Sequence, residues 1–85
     1  MERPLVKTPQ LLKILKVLRK YSEGVWLRKI AREAELSPDT VSRYVYYYLR
    51  PYLQIRELTH LPQRKVVLIK LVKEPKLVER FDFES

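Results

Sequence analysis

The sequence predicts an α+β fold, three helices followed by a C-terminal β-hairpin, and three observations carry it. Residues 11–18 repeat apolar side chains at helical spacing. Residues 30–43 read as a helix, a tight turn and a second helix. Two β-rich runs follow Pro51. A chain of 85 residues makes one small domain with a modest core, to which a partner subunit would add useful buried surface. Its composition divides it into a loose basic arm (1–8), the folded domain (9–73) and a tail (74–85).

The first helix is expected to start at Thr8-Pro9, an N-cap followed by a first-turn proline. Leu11, Leu12, Leu15 and Leu18 form its apolar face with Ile14 beside them, while Lys13, Lys16, Arg19 and Lys20 point elsewhere. Ser22-Glu23-Gly24 should end it, because Gly24 takes a positive φ cheaply. Val25-Trp26 fits a very short strand, with Trp26 read as a core anchor rather than a binding platform. A second helix is expected over about residues 27–34. Small Ala31 and Ala34, with Ile30 and Leu36, let it cross its neighbour closely. Ser37 then caps a third helix whose first position is Pro38, and Pro51 should stop it after about residue 49.

Residues 53–57 alternate apolar and polar as a half-buried strand does, and residues 66–72 are β-rich throughout. Residues 60–65 between them read as the hairpin tip. The second run is apolar on both faces, with Val67, Ile69 and Leu71 on one and Val66, Leu68 and Val72 on the other. Something must cover the second face: the tail, through Leu77, Val78, Phe81 and Phe83, or another subunit.

Projecting the third helix at about 100° per residue puts Val41, Val45, Tyr48 and Leu49 on an inward stripe. Asp39, Arg43, Tyr46, Tyr47 and Arg50 then face outward, with Thr40 close by and Ser42 on the flank. These types suit a nucleic-acid groove. Arg43 can give a bidentate pair to guanine, while Ser37, Thr40 and Ser42 can reach phosphate or a base edge. Tyr46 and Tyr47 can stack on sugar or donate to phosphate, and they also fit a dimer surface or a half-buried rim; Arg50 suits backbone contact. Asp39 can accept from a cytosine amino group or simply favour the positive helix N-terminus.

The run from Ile30 to Arg43 resembles the winged helix-turn-helix regulators of archaea and bacteria, in which a similar Leu-Ser-Pro-x-Thr-Val-Ser-Arg stretch opens the recognition helix. The resemblance spans residues 9 to about 73, specific in that run and loose in the hairpin. It implies a small DNA-binding transcriptional regulator, its recognition helix in the major groove and its wing on the adjacent backbone or minor groove. Arg64 and Lys65, with Arg56 on the paired strand, would make that wing basic, although the same residues fit an ordinary solvated hairpin. The partners implied are double-stranded DNA and a second copy, since such regulators often read two half-sites. One position departs from the family: the turn usually has Gly where this chain has Glu35, so Glu35 must turn left-handed or the turn must differ.

Charge agrees with a polyanion partner. Residues 1–73 carry 16 Lys and Arg against 6 Asp and Glu, and residues 74–85 carry 2 against 4, so a basic body ends in an acidic tail. With no cysteine, disulfides and thiolate metal sites are excluded. A lone His60 gives no reason to expect a metal, and no cofactor is implied. No run approaches membrane-spanning length and no signal-peptide core opens the chain, so a cytoplasmic, nucleoid-associated protein is expected. One Gly, one Met, no Asn and six Pro lean towards a thermophile. No glycine-rich phosphate loop, histidine pair or nucleophile with a base argues for an enzyme. The competing readings are a winged-helix protein-interaction module of a transcription or replication complex, a non-specific chromatin-like DNA binder, and an RNA binder.

Overall fold

Side-chain caps at helix starts and two unusual backbone turns set the architecture. In the computed structural model, residues 5–61 and 64–78 are described, except for the side chains of 58–61, 64 and 65. Thr8 is extended and its hydroxyl accepts from Leu11 N at 3.1 Å, opening α1 (Pro9–Lys20) with proline in the first turn. Leu11, Ile14, Leu15, Val17 and Leu18 of α1 are buried. Leu12 is only half-buried, so the inward face is centred towards Ile14 and Leu18 rather than Leu12. Gly24 then reverses the chain at φ 124°, a value natural to glycine, and its N–H donates to Tyr21 O at 2.9 Å.

The strand β2 (Val25–Trp26) runs straight into α2 (Leu27–Ala34), as expected. Ile30, Ala31 and Ala34 of α2 are buried, which lets α2 pack closely against α1 and the next helix. Glu35 adopts the left-handed conformation, φ 59° and ψ 44°, and Leu36 N donates to Ala31 O at 2.9 Å. The tight turn is therefore made without glycine, at a cost of about 1 kcal/mol. Ser37 Oγ accepts from Thr40 N at 3.1 Å and opens α3, which begins with Pro38.

Helix α3 is α-helical over Pro38–Arg43, π-helical over Tyr44–Leu49, and closes in a 3₁₀ turn over Arg50–Tyr52. The widened turns change its phase. At roughly 80° per residue through the π-helical part, Val41, Val45 and Leu49 share one narrow stripe and Tyr48 swings out of it. All three aliphatic side chains are fully buried while Tyr48 is 50% exposed, which corrects the inward position expected for Tyr48. The widening also accommodates Pro51, which has no N–H for the Tyr47 carbonyl.

Strand β3 (Leu53–Leu61) pairs antiparallel with β4 (Arg64–Leu71), which pairs with β2, giving the order β2-β4-β3. The domain is thus α+β, three helices packed on one face of a three-stranded antiparallel sheet. Val25 and Ile55 flank Ile69 on the face turned to the helices, and Ile69 is fully buried. Both strands run further towards the tip than expected, because cross-strand pairing, not local composition, extends them. Pro62 and Gln63 of the expected tip lie outside the described residues, as do the side chains of His60, Arg64 and Lys65.

Two expectations are corrected here. Trp26 is not a core anchor: it lies on the sheet's outer face and is 41% exposed. Tyr52, 3% exposed, is the aromatic that joins the core, and its carbonyl accepts from Val72 N at 2.9 Å. Secondly, Leu5–Val6, expected within a loose arm, forms β1, which pairs in parallel with β5 (Leu77–Val78). Leu5 N to Lys76 O and Lys7 N to Val78 O are both 2.8 Å. The described part of the tail therefore pairs with the arm rather than covering the second face of β4. Phe81 and Phe83 lie outside the described residues.

Candidate nucleic-acid interface

The solvent side of α3 follows from the phase of its helix. Asp39, Arg43 and Tyr47 are spaced by four residues, and the π-helical step keeps Tyr47 in line with Arg43 instead of letting it drift towards the flank. All three are exposed, Tyr47 at 78%. Arg43 forms no ion pair with any described residue. Tyr46 leaves the outward face expected for it: it is half-buried and packs against the core. Arg50 is exposed with its guanidinium 5.9 Å from the Tyr46 ring centroid, so one cation sits over the ring.

The hydroxyls at the start of α3 are partly committed to each other. Ser37 Oγ donates to Thr40 Oγ1 at 2.9 Å while accepting from Thr40 N, which leaves the Thr40 hydroxyl proton for an outside acceptor. Ser42 is half-buried on the flank, beside the half-buried Thr40 stretch of the helix.

Two networks hold α3 at its angle. Thr8, the cap of α1, lies 3.2 Å from Tyr44 Oη, and Tyr44 in turn donates to Gln10 Oε1 at 3.0 Å. Tyr48 packs on Tyr44 with ring centroids 5.5 Å apart. On the other side of α2, Tyr21 donates a hydrogen bond to Glu33, and Lys20 Nζ pairs with Glu33 Oε1 at 3.2 Å. The Tyr21 hydroxyl, then the Lys20 ammonium, hold the Glu33 carboxyl below its ordinary range, and the same carboxylate raises Lys20. Lys29 completes the cluster with its ammonium 4.7 Å from the Tyr21 ring centroid. These contacts fix α2 to α1, and α2 carries α3 through the Glu35 turn.

The hairpin contributes less than expected in one respect. Arg56 pairs in register with Leu68 near the start of β3, so it belongs to the sheet's outer face and not to the tip. Leu61 lies five positions further on, about 17 Å of strand. Arg28 and Arg32, which the sequence reading passed over, are both exposed on α2. Projecting α2 from buried Ile30 places them on its far side, so the periodicity used for α3 would have found them.

Among the described residues no three His, Cys, Asp or Glu side chains gather as a metal site, and no helix is long and apolar enough to cross a membrane. Comparison with protein-family models, with curated proteins and with solved structures returns no match for this chain.

Proposed function

We propose that this chain binds double-stranded DNA as a winged helix-turn-helix and acts as a small transcriptional regulator. Helix α3 enters the major groove, and the β3–β4 hairpin is the wing on adjacent backbone or minor groove. The observation that carries this reading is the solvent-facing line Asp39, Arg43, Tyr47, set opposite a fully buried stripe. A helix anchored on one side and polar on the other is what groove insertion requires.

Roles follow from position. Arg43 reads guanine through its two parallel donors, and Tyr47, one turn further along, contacts sugar or phosphate. Thr40 donates its free hydroxyl proton to a phosphate or base edge. Asp39 accepts from a cytosine amino group while its charge favours the helix N-terminus. Arg50, with Arg28 and Arg32 of α2, supplies sequence-independent attraction to phosphate. Two copies reading two half-sites complete the proposal.

The test compares Arg43→Ala with the unaltered chain on a preferred duplex and on random duplex. Losing a bidentate guanine contact should weaken the preferred site about fivefold to 150-fold, from roughly 1–3 kcal/mol. Random duplex should lose far less. An unchanged ratio between the two removes Arg43 from base reading.

A further inference from the structure

We infer that the outer face of the three-stranded sheet is a second nucleic-acid site, one that takes single strands by stacking an unpaired base on Trp26. The register sets Trp26, Leu68 and Arg56 in one row across β2, β4 and β3, all on the face turned away from the helices. Lys70 and Gln54 pair in the neighbouring row. Leu68 is the floor, its side chain packed beside Gly24 with Cγ 3.4 Å from where a Cβ would stand, an ordinary contact distance. Around it Glu23, Gln54, Arg56 and Lys70 enclose a depression of about 160 Å³.

Each feature fits one ligand chemistry. Trp26 is 41% exposed, and an open indole offers a stacking surface to any base. Arg56 lies two strand spacings away, about 10 Å, a distance that one nucleotide spans with its base at one end and phosphate at the other. The depression is smaller than the roughly 300 Å³ at which small-molecule pockets begin, but it accepts a phosphate or a sugar. Arg56 and Lys70 outnumber the single carboxylate of Glu23, so the charge of the face complements an anionic strand.

A duplex is excluded as the occupant because its bases are already stacked. A protein partner fits less well, since a stable dimer buries about 800 Å² on each side around a core depleted of charge. Here the apolar side chains, Trp26, Leu68, Val66 and the exposed Val72 just beyond the end of β4, have charged side chains beside them. The inference is independent of the duplex reading, which uses α3.

The experiment uses the full chain and an oligothymidylate 12-mer, read by oligonucleotide anisotropy and by the emission of Trp26, the only tryptophan in the chain. The single strand should quench that emission and bind more weakly as salt rises. Trp26→Ala should lose about fivefold to 150-fold in single-strand affinity while keeping duplex affinity. Trp26→Phe, which keeps a ring and protects the fold, should retain most of the binding. Arg56→Ala with Lys70→Ala should remove about 1.4 units of salt slope. Arg43→Ala should leave the single-strand titration unchanged, which separates this site from the α3 surface. Binding without quenching, or equal affinity in Trp26→Ala, overturns the inference. So does a chain that sediments as a dimer, becomes a monomer on Trp26→Ala and shows no quenching, which would give the face to a second copy.

Discussion

Ser37 joins the start of α3 to both stability and the proposed interface, and two substitutions separate these roles. In Ser37→Ala the acceptor for Thr40 N at 3.1 Å disappears, and so does the 2.9 Å bond to Thr40 Oγ1. The orphaned N–H stands at an exposed helix end, where water replaces part of what is lost. The expected cost is therefore about 1 kcal/mol, within the usual range for N-caps. For a domain of this size that lowers the melting temperature by about 4–8 °C. Ser37→Asp keeps an acceptor and adds a negative charge at the positive end of the helix, worth a further 0.3–1 kcal/mol or so. Its stability should match or exceed that of the unaltered chain. Its duplex affinity should fall, because a carboxylate then meets phosphate. Thermal denaturation followed by circular dichroism, with duplex titration alongside, measures both. A melting temperature for Ser37→Ala within about 1 °C of the parent, or an equal loss in Ser37→Asp, refutes the capping account.

The π-helical phase is tested by comparing Val45→Ala with Tyr48→Ala in chemical denaturation. Val45 is fully buried and should cost about 2 kcal/mol, whereas half-exposed Tyr48 should cost less, mainly its ring contact with Tyr44; the reverse order means a regular α-helix. Glu33, held below its ordinary range chiefly by Tyr21 and then Lys20, contributes stability above its unfolded pKa that is lost as pH falls through the folded one. Glu33→Gln should accordingly flatten the acid side of the stability profile, and an unchanged acid limb would show that the cluster does not stabilise the fold. Arg64→Ala combined with Lys65→Ala should weaken binding to all duplexes and lower the salt slope by about two units; an unchanged slope takes the hairpin off the DNA.

Much of the fold was legible because its signals are local. Thr8-Pro9 and Ser37-Pro38 announce helix starts through caps that reach only three residues ahead. Gly24 marks a turn whose φ is positive as expected, and Glu35, where the family has glycine, takes the left-handed one of the two geometries open to it. What escaped depends on contacts between distant residues. The β1–β5 pair joins residues about seventy positions apart through two short strands with no periodicity of their own. Trp26 reads as core by residue type, but its position in a two-residue strand turns Val25 inward and leaves the indole outside. Tyr48 and Tyr46 depart from their expected positions because a fixed 100° step cannot anticipate a π-helical stretch. Within the candidate site, Arg43 and Tyr47 keep their expected outward position. Arg56 moves to the sheet face because the hairpin is longer than its composition announces.

Titrating this chain with random-sequence duplex at two salt concentrations, and then selecting preferred sites from the same pool, asks whether it reads duplex DNA through α3. Strong salt dependence together with an enriched inverted-repeat motif is the expected result, and it should lose the enrichment but not the salt dependence in Arg43→Ala. Absence of duplex binding at low salt would take α3 out of the major groove and leave it as a surface for protein partners.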